Sequence, residues 1–283
     1  MLIGWTAVCG HNTRNQVLQI YIMKISIITP TYNSSATIQD TINSVLSQSF
    51  LDFEHIIVDG GSKDNTVDII KESEPLYNGK LKWVSEPDKG IYDAMNKGIK
   101  MASGDIVGIL NSDDFFSSPE VLSKINENIL GLDAIYGDIH YVNPDDLSKP
   151  VRYYSSAGFN VKKMKMGFMP AHPSFYCRKE VFDKVGLFDT EFKVAADFEF
   201  LLRALYVNGI KTKYIPFDFV TMRTGGASTS GLSSHKRIFL DHMKAYRKNG
   251  VKSNAFLESL RYPSKILELL SFRFSNSSLH TEV

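Results

Sequence analysis

Three short polar turns carry the residue types best equipped for chemistry: Thr31-Tyr32-Asn33, Asp59-Gly60-Gly61 and Asn111-Ser112-Asp113-Asp114. Each directly follows an apolar, β-like run, at residues 25–28, 56–58 and 106–110. Open parallel sheets bind ligands beyond the carboxyl ends of their strands, so the three turns are expected to meet at one crevice. In the third turn, Asp113 suits a hard divalent cation, magnesium or manganese, bound through one or two carboxylates with substrate phosphates completing the oxygen shell. The same residues are ordinary turn formers, and Asp114 or Ser118 could simply cap the next helix. Asp59 can accept the imino hydrogen of a pyrimidine, and the glycines after it let the backbone approach closely. A helix-initiating turn capped by Asp64 accounts for the glycines but not for Asp59.

The elements that must position these turns alternate along the chain. A strand over residues 24–29 leads to a helix opened by Ser34 or Ser35, with Ile38, Ile42, Val45 and Leu46 on one face. A strand over 54–58 precedes a helix capped by Asp64, with Val67 and Ile70 inward. A strand over 81–85 precedes a third helix, whose stripe is Ile91, Ala94, Met95, Ile99 and Ala102. Such β-α-β repetition requires a parallel sheet with right-handed crossovers. Beyond it the pattern loosens into a run at 134–142, a Pro/Gly-containing stretch to Pro173, a strand over 174–177 and helices near 179–185 and 197–208. After Gly231 the chain reads as helices over 233–249 and 254–274, the latter interrupted by Pro263. The expected division is 1–22, 23–232 and 233–283. Residues 1–22 show no period or cap, and Met23 precedes a clean strand. They are expected to be an upstream extension without chemistry, the alternative being an arm packed on the body.

With 283 residues, 43% hydrophobic and 22% charged, the chain can bury a large core. A net charge of +1 removes any whole-molecule argument for nucleic acid. Cys9 and Cys177 make neither a zinc motif nor a disulfide framework, which favours a reducing compartment. No run approaches the roughly 18 apolar residues of a membrane span, and the start lacks a basic signal region, so a cytoplasmic protein is expected. No Gly-x-Gly-x-x-Gly follows the first strand and no Gly-x-x-x-x-Gly-Lys-Ser/Thr occurs, which removes the usual signs of dinucleotide and P-loop chemistry.

Residues 26–33 (Ser-Ile-Ile-Thr-Pro-Thr-Tyr-Asn), 57–66 (Ile-Val-Asp-Gly-Gly-Ser-Lys-Asp-Asn-Thr), 86–98 (Glu-Pro-Asp-Lys-Gly-Ile-Tyr-Asp-Ala-Met-Asn-Lys-Gly) and 110–114 (Leu-Asn-Ser-Asp-Asp) together resemble the ordered motifs of family 2 glycosyltransferases. The resemblance continues through His172-Pro173-Ser174-Phe175-Tyr176, Gly186-Leu187-Phe188-Asp189 and residues 195–200, covering about 24–230. It implies a GT-A fold: an α/β, Rossmann-like, mostly parallel sheet flanked by helices, here with a C-terminal helical extension. It further implies that Pro30, Thr31, Tyr32 and Asn33 line the nucleobase and ribose, that Asp59 contacts the base, and that Asp88, Gly90 and Asn96 shape the nucleotide-sugar pocket. Ser112 and Asp113 would lie on the donor, with Asp113 holding the metal. The family's Asp-x-Asp stands here as Asn111-Ser112-Asp113, so binding through one carboxylate is expected. Asp197 matches the family's general base, with Glu199 a weaker candidate that orients a neighbour. His172 would face the pyrophosphate or the incoming hydroxyl.

The implied partners are a nucleotide-sugar donor and a glycan or lipid-linked glycan acceptor. A nucleotidyltransferase and a non-catalytic nucleotide-sugar-binding protein of the same fold are the alternatives. The run from Arg223 to Thr229 suits a loop closing over a diphosphate, or a plain surface connection. Near the end, Arg247, Lys248, Lys252, Arg261, Lys265 and Arg273 are interleaved with apolar residues including Phe256, Leu257, Leu260 and Ile266. Such a segment can rest on an anionic membrane surface at the inner face of the membrane, or pack back on the catalytic body with its cations solvated.

Overall fold

The computed structural model describes residues 22–225 and 232–261. Its first half follows the alternation in the sequence: β1 (Ile25–Thr31), α1 (Ile38–Leu46), β2 (Phe53–Asp59), α2 (Thr66–Ser73), β3 (Leu81–Ser85), α3 (Ile91–Met101) and β4 (Ile106–Ile109). The order β3-β2-β1-β4 is parallel throughout, with Ile28 opposite both Ile56 and Ile109. Both faces are covered, which is why these strands read as continuous apolar runs. Ile28, Ile56 and Val58 pack with Met95 and Ile99 of α3, whereas Ile25, Ile27 and Ile57 pack with Ile38, Ile42 and Ile70 of α1 and α2.

The second half adds β5 (Phe115–Phe116), α4 (Val121–Asn128), β6 (Ala134–Asn143), β7 (Asp146–Tyr154), β8 (Tyr176–Arg178), α5 (Lys179–Val185), α6 (Ala196–Leu201), β9 (Thr212–Arg223), α7 (Leu232–Lys248) and α8 (Ala255–Ser259). The sheet continues from β4 through β8, β6 and β9 to β5, with β7 paired to β6 as a hairpin. Gly108 of β4 lies where a Cβ would come within 2.0 Å of the Tyr176 ring on β8, so the packing of this joint requires glycine.

Several local expectations are corrected. Helix α1 starts at Ile38 after Thr37, not at Ser34 or Ser35: residues 35–37 form a turn, and the Ser34 hydroxyl is engaged with Ser112 rather than with a helix amide. Ile91 is 46% exposed, and Tyr92 takes the inward place on α3. The strand expected over 174–177 runs from Tyr176 to Arg178, since residues 172–174 form a 3-10 turn. The helix expected over 197–208 changes at Leu202 into one turn of π-helix, ending at Val207. The expected extension over residues 1–22 lies outside the described residues except for Ile22, as does most of the helix expected over 254–274.

Candidate active site

The carboxyl ends of β1, β2 and β4 are tied into one rim. Asn33, held at φ 50°, receives the Lys63 amide on its side-chain oxygen at 2.8 Å and donates its own amide to Ser62 Oγ at 2.7 Å. The Ser34 amide donates to Thr66 Oγ1 at 2.8 Å, and the Ser34 and Ser112 hydroxyls pair at 2.8 Å. Asp64 accepts the Ser35 amide at 3.0 Å and the Thr66 amide at 3.1 Å, so it braces the turn ahead of α2 from two residues before the helix, where Asn65 holds the cap position. The three turns therefore share a border, as their positions after the strands require.

Tyr32, 60% exposed, stands on this rim. A Cβ on Gly60 would come within 2.5 Å of Asp88 Oδ2 and 3.4 Å of the Tyr32 ring, so Asp88 and Tyr32 both crowd the face of Gly60 from which a side chain would project. The Asp88 carboxylate also accepts the Gly90 amide at 2.8 Å. Gly90, at φ 117°, uses backbone freedom that other residues lack as α3 begins. Pro30 and Thr31 are buried, and Thr31 Oγ1 has no hydrogen-bond partner among the described residues.

Asp59 is buried and heavily committed. Oδ2 accepts the Gly61 amide at 3.1 Å, the Ser62 amide at 3.0 Å and the Ser85 hydroxyl at 2.6 Å, and Oδ1 accepts the Ser62 hydroxyl. The carboxylate thus shapes the turn and pins it to β3. Asn96 is spent in a similar way: its amide donates to the Phe188 carbonyl at 2.8 Å and accepts the Phe188 amide at 3.0 Å. It bears on the pocket by fixing the segment around Phe188.

Asp113 follows β4, and its carbonyl accepts from Arg223 Nη1 at 2.6 Å. Arg223 also pairs with Asp40 on α1 and lies over the Phe115 ring, so the end of β9 locks the third turn. Asp114 is buried, and burial, then the neighbouring Asp113 charge, push its carboxyl well above the usual range. Among the described residues no cluster of three or more His, Cys, Asp or Glu could hold a metal by itself. The residues do fit a cation completed by substrate oxygens, because Asn111 Oδ1 is buried without a partner beside the Asp113 turn.

Asp197 occupies the first turn of α6 and accepts the Phe198 amide at 2.8 Å. Tyr92, in the first turn of α3, donates to the Val194 carbonyl and lies 3.4 Å from Asp197 Oδ1. Burial first, then the Asp197 charge, raise the Tyr92 phenol well above its ordinary value, so it stays a donor. Tyr92 thus links the helix that follows the Asp88 loop to the segment carrying Asp197. His172 packs edge-on against Phe188 at 5.6 Å, and burial lowers its pKa while the Asp197 charge opposes the shift. Its ring is therefore neutral at neutral pH. Glu199 is buried and forms a bidentate pair with Arg203 at 2.9 and 3.0 Å, and Arg203 in turn holds the carbonyls of Val185 and Leu187.

The family model described as glycosyl transferase family 2 matches residues 26–186, which contain all three turns. The chain belongs to glycosyltransferase family 2. It is 34% identical over 221 residues to an uncharacterized glycosyltransferase of Mycobacterium tuberculosis, covering 75% of this chain and 78% of that one. It is 28% identical over 193 residues to a PGL/p-HBAD biosynthesis glycosyltransferase of the same species, covering 67% and 73%. Among solved structures, residues 1–349 of Staphylococcus aureus TarS with UDP-GlcNAc superpose with a TM-score of 0.62 at 21% identity, over 81% of this chain and 68% of that one. Another solved TarS chain is longer, and this chain spans 43% of it. The mannosyltransferase PcManGT of Pyrobaculum calidifontis, with GDP-Man and Mn2+, superposes with a TM-score of 0.58 at 16% identity, over 88% and 81%. These likenesses establish the GT-A fold of this family 2 glycosyltransferase.

Some site features were not legible beforehand. Tyr92 shares a helical face with Met95 and Ile99, so its burial is readable from the register, but its meeting with Asp197, 105 residues further along the chain, is not. Asp241 and His242 of α7, which pack against the Asp197 segment, carried no signal, since a single acid and histidine in an amphipathic helix look like any other.

Proposed function

We propose that the protein transfers one sugar, with inversion, from a nucleotide diphosphate donor, a UDP-sugar, to a hydroxyl of a glycan acceptor, a lipid-linked intermediate in surface-polysaccharide assembly. The observation carrying this reading is Tyr92, which spans from the helix after the Asp88 loop to the backbone in front of Asp197. A donor seated on the rim then has its anomeric carbon facing the Asp197 side.

In the proposed step the acceptor oxygen forms a bond to the anomeric carbon as the bond from that carbon to the β-phosphate oxygen breaks. The electron pair leaves on the nucleoside diphosphate, and the hydroxyl proton passes to Asp197 as general base. The exposed Tyr32 ring offers a stacking surface for the base, and Asp88, with its second oxygen facing Gly60, is placed for ribose or sugar hydroxyls. Asp59, committed to four donors of its own turn and β3, contributes to base recognition by holding that turn. A divalent cation bound by Asp113 and the donor's phosphate oxygens would neutralise charge on the departing diphosphate. Neutral His172 supplies a hydrogen-bonding group near the incoming hydroxyl without adding a charge.

The donor class is supported by the UDP-GlcNAc and GDP-Man held by the two structural neighbours, and the acceptor class by the biosynthetic name of the mycobacterial relative. Among the described residues no helix is long and apolar enough to cross a membrane. A peripheral contact at the inner face of the membrane is proposed for the chain's end, where Phe256 is 71% exposed.

The test is transfer from radiolabelled UDP-sugars to a lipid-linked acceptor. Asp197→Asn is expected to lower kcat by about 10²- to 10⁴-fold while donor Kd changes little, and Asp113→Ala to abolish transfer and metal dependence together. Full activity of Asp197→Asn overturns the assignment. Release of pyrophosphate from a nucleoside triphosphate would instead mark a nucleotidyltransferase, and donor binding without turnover a sensor.

A further inference from the structure

Helix α7 lies along the segment that delivers Asp197. Asp241, Lys244 and Lys248 recur at i, i+3 and i+7, which puts them on one stripe of the helix. Lys248 pairs with Asp189 at 2.5 Å and Glu191 at 3.2 Å, and Lys244 with Glu191 at 3.4 Å. Asp241 Oδ2 accepts the amides of Val194 at 3.2 Å and Ala195 at 3.3 Å. The next residue, His242, stacks on Phe198 with centroids 3.6 Å apart and planes 11° from parallel. The two residues before Ala196 and the one after Asp197 are thus all held by consecutive positions of α7.

The lysine pairs are exposed and contribute little. Asp241 is different in kind. Helix α6 has no side-chain cap of its own at Ala195, and its first turn contains Asp197. A carboxylate at a helix N-terminus is favoured by the dipole and satisfies amides that the helix leaves open. On the opposite side, Tyr92 donates to the Val194 carbonyl. The peptide preceding α6 is therefore gripped through its carbonyl from α3 and through its amides from α7.

We infer that Asp241 is a positioning residue for Asp197: from outside the matched family region it fixes the first turn of α6, and so the angle at which the general base meets the acceptor hydroxyl. This rests on the reading of Asp197 as base. Misplacing a catalytic group by about 1 Å costs on the order of a hundredfold in rate.

The experiment is a double-mutant cycle read as kcat and donor KM separately. Asp241→Ala in the wild-type chain is expected to lower kcat by about ten- to a hundredfold with donor KM nearly constant. Asp241→Asn, whose amide oxygen can accept the same two N–H groups, is expected to recover most of that loss. In the Asp197→Asn background, Asp241→Ala is expected to cost almost nothing more, because the group it positions is already disabled. An equal loss in both backgrounds, or an Asp241→Asn variant as poor as Asp241→Ala, overturns the inference. If Asp197→Asn itself turns over at the wild-type rate, the assignment of the base fails first, a result distinguishable from failure of Asp241.

Discussion

His55 spends both ring nitrogens inside the protein, Nδ1 with the Tyr77 hydroxyl at 2.6 Å and Nε2 with Thr29 Oγ1 at 2.8 Å. Burial lowers its pKa from 6.5 to about 3. The folded chain keeps the ring neutral while the unfolded chain takes up a proton below about pH 6.5, so its contribution is complete above that value and is lost as pH falls towards 3. At pH 5.5 this one group is expected to cost about 1.4 kcal/mol relative to pH 7.5. Buried His172 acts in the same direction. Urea unfolding across pH 5 to 8 measures the slope, and His55→Phe should flatten it while lowering stability at neutral pH by about 1–3 kcal/mol, because the buried Thr29 hydroxyl loses its partner and Tyr77 keeps only its longer contact with the Ile42 carbonyl. Asn96→Ala should likewise lower the urea midpoint, since the Phe188 amide and carbonyl each lose a buried partner, at about 1–3 kcal/mol apiece. At this scale the sequence revealed the identity of the rim residues but not their commitments. Asp59 and Asn96 stood in the expected motifs, yet their carboxylate and amide are used on backbone that only the folded chain brings near.

Helix α3 is the element that joins the two halves of the site, and its seat on the sheet is set by Gly98. A Cβ there would lie 2.3 Å from Ile28 Cγ2 on β1. Gly98→Ala gains about 1 kcal/mol of helix propensity but forces an overpacking cost of about 1–3 kcal/mol, so a net loss of stability is expected. The clash is relieved by lifting α3, which carries Tyr92 away from Val194 and Asp197. A fall in kcat larger than the fall in stability is therefore expected at temperatures where the variant is fully folded, measured by calorimetry and initial rates side by side. The parallel half was legible because buried βαβ units write their period plainly. Strands β7 and β9 were not: β7 is exposed along most of its length, so no apolar alternation marks it, and β9 contains Pro216, which argues against a central strand. The structure accommodates that proline where a step of two residues along β6, from Tyr136 to Asp138, matches a step of four along β9, from Tyr214 to Asp218, a bulge that releases the ladder locally.

Over the whole molecule, the stretch expected as an appendage from residue 233 bears on the catalytic half. Glu258 of α8 is completely buried and meets His242 Nδ1 at 2.8 Å, the Tyr246 hydroxyl at 2.8 Å and Arg261 at 3.2 Å, with Gly167 so close that a Cβ there would lie 2.6 Å from either carboxylate oxygen. Arg261, read from the sequence as one cation either of a membrane-facing series or of a helix packed on the body with its cations solvated, is 3% exposed and belongs to this interior network, whereas Lys265 and Arg273 lie outside the described residues. Removing one partner of a buried ion pair leaves the other charge uncompensated, so Glu258→Ala is expected to cost about 3–5 kcal/mol. Glu258→Gln keeps an acceptor for Tyr246 and should cost less. Because His242 links this network to Phe198, the surviving folded fraction of Glu258→Ala should bind nucleotide sugar normally, through a rim at the ends of β1, β2 and β4, yet turn over slowly. Calorimetric donor titration against kcat at low temperature reads the two effects apart. Equal loss of donor affinity would mean instead that α7 and α8 support the sheet as a whole, and the proposed route from the C-terminal helices to Asp197 would be wrong.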